Sequence, residues 1–392
     1  MTLLEVIENA SVSSEPLVSQ SEYPIVLNPD DVLPNLRPKL EYPNLVSLVN
    51  PVVGWQISKT DSEVIDLGKN FFTKLNRKLK NPNDFDKDEF IRILNQFLEK
   101  IRDKAGVSIG IDSSDKGYTV ALIEKLGSMI GKDVAGLVLD ACVVLETWEL
   151  VEALIVNGHV EHSCYSTLVN RLVVKKMSDL ICVCIKHASD LGASELLCIL
   201  KYFLSPPKDA YISMVNVRKE WEKQALSAIE RASDKGLTGK KARLAKDASI
   251  SLMMAHDGFS APEICLHYLL ASSNVDAVVL ASSISKLNGK EMMSLIRYLG
   301  KWLKKYERFP QAVPCSEASS KLGLKACCWV PKLEDVINWV GLVLDEKFSS
   351  LVLHPEFHEE LRSMEGMVSS LALEARVCCS MANVVEKLIV EV

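Results

Sequence analysis

The chain has 392 residues, a formal net charge of −6 and a composition that is 48% hydrophobic but only 6% aromatic. The acidic balance argues against a dedicated nucleic-acid binder, and a mostly aliphatic core favours packed helices over an aromatic-rich β-sandwich. The eleven cysteines are an odd number without a secretory signal, which points to a reducing compartment, the cytosol or the nucleus.

Residues 1–60 form the first predicted segment, an extended and partly ordered Pro-rich arm. Seven of the fifteen prolines lie at or before Pro51, and each removes a backbone donor and biases the preceding residue towards extended geometry. The segment also contains leucines and valines, which predict that the arm docks on the body or on a partner. Its acidic start, MTLLEVIENASVSSEP, matches neither a secretory signal nor an Arg-rich transit peptide. No apolar run reaches the roughly 18 residues of a membrane span.

Residues 61–310 are predicted to form a helical array. In DEFIRILNQFLEKIRDK an apolar stripe recurs at helical spacing, and EMMSLIRYLGKWLKKYERFP repeats the pattern until Pro310. The two stripes consist of Phe90, Leu94, Phe97 and Ile101, and of Met292, Leu295, Leu299, Trp302 and Tyr306. Between them, helical patterns of roughly 10 to 20 residues alternate with short Gly, Pro and Asn breakers, which suits consecutive antiparallel hairpins.

Strand signals are scarce along the whole chain. The segment GVSIGID, residues 106–112, alternates in polarity but has no obvious partner strand. Stacked helical hairpins bury a continuous core between neighbours, and no repeat of fixed period is visible. We therefore predict an all-α fold, an irregular α-solenoid or helical-hairpin array that follows the extended Pro-rich N-terminal arm.

Two short stretches raise the hypothesis of a zinc site. VNGHVEHSCYS and CVCIKH together supply His159, His162, Cys164, Cys182, Cys184 and His187. Their spacings match no zinc finger, ribbon or knuckle, and Cys182 and Cys184 would lie about 200° apart on a helix. The structural interpretation is a buried helix, SDLICVCIKHASD, with Cys184 among its apolar side chains and a cationic His187 near its C-terminal end. We favour this interpretation and keep a zinc-binding protein as the second alternative function.

The first of these stretches also has a structural interpretation. One helix ends at Gly158, and the next begins with Ser163 as its cap.

Catalytic signatures are equally weak. GSMIGKDVAG, residues 127–136, lacks the G-K-[ST] ending of a phosphate loop and predicts a boundary between two helices. No G-x-S-x-G or H-E-x-x-H motif is present, although a Cys–His pair from distant positions stays open. We expect no enzyme, with no catalytic, cofactor-binding or metal-binding residues, no cofactor and no small-molecule substrate.

Two basic clusters are suited to contact RNA phosphates or to act as an import signal. They consist of Lys74, Arg77, Lys78 and Lys80, and of Lys240, Lys241, Arg243 and Lys246. Acidic residues interleave near both clusters. This pattern favours ordinary solvated helix faces.

Residues 295–371 carry a resemblance to a known family. LIRYLGKWLKKYERFP is followed, after a loop, by PKLEDVINWVGLVLDEKFSSLVLHPEFHEELRSMEGMVSSL. The nearest match, residues 336–352, is an apolar helix that contains Trp339, a Leu-Asp pair and Phe348. This order of helices resembles the C-terminal helical region of the nucleolar protein 11 family, a component of the small-subunit processome. The chain as a whole looks like a plant member of that group.

The resemblance implies a C-terminal helical region over residues 311–392 and a nucleolar or nuclear scaffold in ribosome biogenesis. Such a scaffold supports pre-rRNA transcription and rRNA processing through protein–protein contacts with other processome proteins, with pre-rRNA as an indirect partner. Trp339 and Phe348 are the candidate partner-binding residues, because large aromatics dominate interface energetics. Burial in the protein's own core is the alternative for both. The first alternative function is a helical adaptor in a cytoplasmic trafficking or degradation complex.

Overall fold

The fold consists of helices joined by short connections. The structure is a computed structural model that describes residues 59–80, 85–113, 115, 117–234, 236, 238–310, 312 and 315–390, with side chains from 61 to 382. In these ranges lie α1 (Lys59–Lys80), α2 (Lys87–Ala105), α3 (Tyr118–Leu126), α4 (Lys132–Val144), α5 (Trp148–Val156), α6 (His162–Lys175), α7 (Ser178–His187), α8 (Ala193–Leu204), α9 (Tyr211–Ser233), α10 (Gly239–His256), α11 (Ala261–Leu270), α12 (Ala277–Ile284), α13 (Gly289–Arg308), α14 (Glu317–Leu322), α15 (Leu333–Leu353) and α16 (His358–Val390). The same ranges contain no strand, and residues 106–112 form a connection, so the predicted all-α class is confirmed. The predicted arm lies outside the described residues, apart from the two residues that begin α1.

The helices stack as hairpins in two rows. One row consists of α2, α3, α5, α7 and α9, and the other of α1, α4, α6, α8 and α12, with each helix packed against the next in its row. Contacts between the rows join α1 to α2, α4 to α5, α6 to α7 and α8 to α11. The buried core therefore runs continuously through the stack, as in an α-solenoid. The long hairpin of α9 and α10 departs from this order and makes the solenoid irregular.

Local sequence explains where individual helices begin and end. Asp86 caps α2, because its Oδ1 accepts a hydrogen bond from the Glu89 amide at 2.7 Å, and Gly106 ends that helix at a φ of 66°. α13 begins with a capping box, in which the side chains of Asn288 and Glu291 each accept from the other's backbone amide. The apolar stripes predicted for α2 and α13 are buried in full, which confirms both periodicity predictions.

The boundary between α5 and α6 corrects one prediction. Gly158 adopts a φ of 69° after the end of α5, which confirms the predicted helix stop. α6 begins at His162 with Glu161 at the N-cap position, so the predicted cap at Ser163 is wrong. Ser163 already has a helical backbone, and residues 161–163 are exposed. Solvent can therefore satisfy the open amide groups of this first turn without a side-chain cap.

A buried aromatic cluster joins α10, α11 and α13 around His267. The Nε2–H of His267 donates to the Ala255 carbonyl at 2.9 Å, so its Nδ1 is free to accept from the Tyr298 hydroxyl at 2.8 Å. The rings of Phe259 and Trp302 pack against the imidazole at centroid distances of 4.7 and 4.9 Å. Burial lowers the pKa of His267 to about 3, so the ring is neutral at pH 7.

Candidate functional site

The histidines and cysteines that suggested a zinc site do not converge. His159 packs so closely on Gly127 that a Cβ at that glycine would lie 2.0 Å from its Nε2. His162 instead lies near Asp190, with 3.6 Å between its Nε2 and the carboxylate. Within the described part of the chain, no three His, Cys, Asp or Glu side chains are grouped closely enough to hold a metal ion. The six histidines and cysteines that suggested zinc therefore form no common site among the residues that the structure describes.

α7, which carries the other three of these residues, is the buried helix that the structural interpretation required. Cys182 and Cys184 are both buried although they lie on different sides of it, because α5, α6, α9 and α11 all pack against α7. Burial raises the pKa of Cys184 to about 12, which keeps this thiol protonated. Burial and the charge of Lys186 lower the pKa of His187, which counts against the predicted cationic form of this residue.

The two aromatic residues proposed for partner binding lie on opposite sides of α15. Trp339 and Phe348 are nine residues apart, which corresponds to about two and a half turns of a helix. Trp339 is 6% exposed and packs in the core, whereas Phe348 is 66% exposed. They cannot contact the same partner surface, so partner binding stays a prediction for Phe348 and the buried position gives Trp339 a packing role.

Phe348 borders an apolar groove between α15 and α16. Both helices pack on α13 but make little contact with each other, so α13 forms the floor between them. The groove has a volume of about 720 Å³ and is lined by fourteen residues. The apolar walls include Ile337, Leu344, Phe348 and Val352 from α15 and Leu361 and Val368 from α16. Of the lining residues, the charged or titratable ones are His358, Arg362 and Glu365, all on α16.

Polar contacts hold the two walls of the groove separately. Lys347 Nζ donates to the carbonyls of Ser285 and Leu287 at 2.6 and 3.0 Å, which fastens α15 to the connection before α13. On the other side, Arg297 Nε donates to Glu360 Oε1 at 2.8 Å and joins α13 to α16. Where the two helices meet, His358 Nε2 of α16 donates to the Val352 carbonyl of α15 at 2.9 Å. Beyond that bond each wall keeps its own attachment, which leaves the groove between α15 and α16 open.

The exposed apolar face of α15 is the part of the site that the sequence interpretation missed. Ile337, Leu344, Phe348 and Val352 are all exposed, and their spacing of seven, four and four residues places them along one side of the helix. Sequence periodicity contains this stripe, but it equally contains the buried stripe through Val336, and the sequence does not say which of the two is covered.

The basic clusters do not form a uniform basic surface. Lys78 Nζ pairs with Glu89 Oε1 at 3.0 Å, and Arg243 Nε lies 3.9 Å from Asp247 Oδ2. Lys240 and its neighbours are exposed along the start of α10. These contacts agree with the interpretation of both clusters as solvated helix faces.

Comparison of the chain with protein-family models and with curated proteins finds no match. Across the described ranges, no helix combines the length and apolarity needed to cross a bilayer. The groove between α15 and α16 is thus the structural feature from which a function can be inferred.

Proposed function

We propose that the protein is a non-enzymatic helical scaffold and that the α15–α16 groove binds an apolar helical segment of a partner chain. The observation that carries this proposal is the contiguous apolar face around Phe348. Such a face, exposed and bordered by charged residues, typically marks an interaction site. Phe348 would act as the central anchor, because aromatic side chains that enter a partner surface contribute most of the binding energy.

A helix suits this groove better than an extended peptide or a small molecule. Two helices that pack on a third with little contact between them leave room for a fourth, which completes a bundle-like packing. The walls offer no sheet edge with free backbone groups, so strand addition has no template. Small-molecule sites usually contain several convergent polar groups, whereas the α15 wall and floor of this groove are apolar.

The proposed assembly is the small-subunit processome in the nucleolus, where the scaffold would support pre-rRNA transcription and processing. The resemblance of residues 295–371 to the nucleolar protein 11 family supports this proposal, and that stretch includes α15 and the part of α16 that lines the groove. The net charge of −6 favours contacts with other proteins over direct contacts with RNA.

The test is a purification of the tagged full chain from cells, with identification of the bound proteins and RNA. Three forms are compared: the wild-type chain, Phe348→Glu in the groove, and Ile212→Glu as a matched control on α9. Ile212 is an apolar residue outside the groove and is 75% exposed, against 66% for Phe348. Circular dichroism of each purified form checks that the helices are retained. A fluorescent fusion of the same three forms reports the compartment.

We expect the wild type and Ile212→Glu to recover processome proteins with pre-rRNA and to concentrate in the nucleolus. Phe348→Glu should lose these proteins, because it introduces a charge at the centre of an apolar contact. Recovery of an unrelated cytoplasmic assembly, without pre-rRNA, would replace this proposal with the adaptor alternative. Equal recovery by all three forms would show that the groove is not the binding site.

A further inference from the structure

The second half of α16 extends beyond the helices on which the first half packs. In the first half, Met364 lies against Gly300 of α13, with its Cγ 3.6 Å from the position that a Cβ would occupy on the glycine. α13 ends at Arg308. From residue 372 to residue 382, every side chain of α16 is exposed.

This exposed half of α16 is unusually apolar for a solvated helix. Leu373, Val377 and Met381 recur at every fourth residue and are 64%, 51% and 64% exposed. Between residues 371 and 382 the charged residues are Glu374 and Arg376. A helix with such a composition normally has its apolar sides covered by another element.

The side of α16 that lines the groove continues into the exposed half as a row of small residues. At alternating steps of four and three residues, Leu361, Glu365 and Val368 are followed by Ala372, Ala375, Cys379 and Ala382. This is the heptad spacing with which two helices pack along a common seam. Val377 and Cys379 are two residues apart, about 200° of rotation, so the larger apolar residues lie on the opposite side.

Arg376 and Ser380 mark one edge of the exposed half between these two sides, whereas Glu374 lies beside Met381 on the other edge. Ser369, Arg376 and Ser380 are seven and four residues apart, which places them within about 40° of one another around the helix. Small residues on one side, larger apolar residues on the opposite side and polar residues at the two edges are the pattern of a helix inserted between two walls, with its edges in solvent.

We propose that the exposed half of α16 lies in the α15–α16 groove of a second copy of the chain. The exposed half of α16 of that second copy lies in the groove of the first. This inference rests on the proposed function of the groove and names its partner helix. Along α16, the half that lines the groove is followed by the half that is uncovered. A single two-fold axis therefore places the uncovered half of each copy in the groove of the other copy. On each copy, the interface would consist of the fourteen residues that line the groove and of residues 372–382, which fill the groove of the other copy. This number matches the about 20 to 30 residues per side of a specific interface.

The axis passes near Ala372, the midpoint of the row that runs from Leu361 to Ala382 and in which Glu365 is the charged member. The two α16 helices then run antiparallel, and Glu365 of one copy faces Cys379 of the other. Leu373, Val377 and Met381, on the far side of the inserted helix, face Phe348 and the other exposed residues of α15. Small side chains at the crossing allow the two backbones to approach closely.

The first test measures the mass of the purified full chain by light scattering at tens of micromolar, under reducing conditions. The wild type is expected at twice the chain mass of 43.5 kDa. Val377→Glu should be monomeric, since it places a charge against the apolar α15 wall and raises the dissociation constant on the order of a hundredfold. Ser380→Glu, the same change one turn away on the polar side, should remain dimeric.

The second test maps the contact with a disulfide. Glu365→Cys is made in a background of Cys378→Ser and Cys328→Ser, and the dimer is oxidised with diamide, which takes up the two electrons and two protons of the thiol pair. The introduced thiol at position 365 should form a disulfide with Cys379, identified by mass spectrometry. Within one chain these positions are fourteen residues apart on a helix, about 21 Å, so the bond can form only between copies. Glu365→Ser in the same background is the control.

The outcomes separate this inference from the proposed function. The two-fold pairing is overturned if the wild type is monomeric. It is also overturned if Val377→Glu leaves the dimer intact and no disulfide forms between positions 365 and 379. If the wild type is monomeric while Phe348→Glu still loses processome proteins, the groove binds a different chain and the proposed function stands. If the wild type is dimeric as described but recovers no processome proteins, the pairing stands and the proposed assembly is wrong.

Discussion

The Nδ1 atom of His267 lies 2.8 Å from the hydroxyl oxygen of Tyr298, and both residues are fully buried. The imidazole has its proton on Nε2, which donates to the Ala255 carbonyl, so the Tyr298 hydroxyl is the donor in this pair. Burial raises the pKa of Tyr298 well above its usual value and lowers that of His267. The cluster is therefore stable only in its neutral form.

Stability should decrease in mild acid because of His267. Its pKa of about 3 in the folded state lies below the value of about 6.5 in the unfolded chain. As the pH falls below about 6.5 the unfolded chain binds the proton first, so the contribution of the neutral ring is complete above that pH and decreases towards pH 3. From pH 7 to pH 5 the loss is about 2 kcal/mol. Urea unfolding at both pH values, followed by circular dichroism, measures the free energy of unfolding. Between pH 7 and pH 5 it should decrease by about 2 kcal/mol less in His267→Gln than in the wild type. An equal pH dependence in both proteins would contradict the assignment.

The contact between Gly127 and His159 should make Gly127 intolerant of a side chain. Its φ of −57° suits alanine, but the new Cβ would lie 2.0 Å from His159 Nε2. Gly127→Ala is expected to reduce the free energy of unfolding by about 1 to 3 kcal/mol, because the ring must move. Chemical denaturation should show that this cost disappears in a His159→Ala background. Gly136→Ala, whose Cβ would only touch Cys164 at 3.7 Å, is the control and should not destabilise the protein.

The capping box at the start of α13 should have a measurable effect on stability. Asn288→Ala removes the acceptor of the Glu291 amide, which is bonded at 3.0 Å, and is expected to cost about 1 kcal/mol. Ser294→Ala removes an exposed bond to the Lys290 carbonyl within the same helix and should change stability by less than about 0.5 kcal/mol. A comparison of thermal unfolding midpoints checks both values. Equal effects would show that the cap contributes nothing specific.

The cysteines should separate into fast and slow thiols. Cys328, Cys378 and Cys379 are exposed, whereas Cys142 and Cys184 are buried and have pKa values raised to about 12 by burial. An aromatic disulfide reagent should therefore label the exposed thiols in the native protein within minutes, and the buried ones only after unfolding. Peptide mass spectrometry of the early product identifies the sites. Early labelling of Cys184 would contradict the packing of α7.

The helices were largely predictable because their information is local. In α13 the stripe from Met292 to Tyr306 defines the buried side, and Pro310 follows its end. The start of α6 was misplaced by two residues because Glu161 and Ser163 are both exposed, and solvent can satisfy the amide groups in either case. The packing of α7 on four neighbours was beyond the sequence, since one of them, α11, begins more than seventy residues after α7 ends.

The groove was only partly predictable, although one clue was available. Trp339 and Phe348 were both proposed as partner contacts, and their separation of nine residues already places them on opposite sides of a helix. What the sequence does not contain is the gap between α15 and α16. That gap depends on contacts of each helix with other segments, such as the bond from Lys347 to the Ser285 carbonyl, which joins positions more than sixty residues apart.

The length of α16 gives its contact with α13 a mechanical role. With 33 residues the helix is about 50 Å long, and Met364, where it rests on Gly300, lies near its beginning. A tilt of about 10° at this fulcrum would swing the Val390 end by about 7 Å, more than one helical turn. Gly300, the point of α13 on which α16 rests, thus determines the direction in which α16 points, so a bulkier residue at this position would displace the far end of α16 through a change of tilt alone.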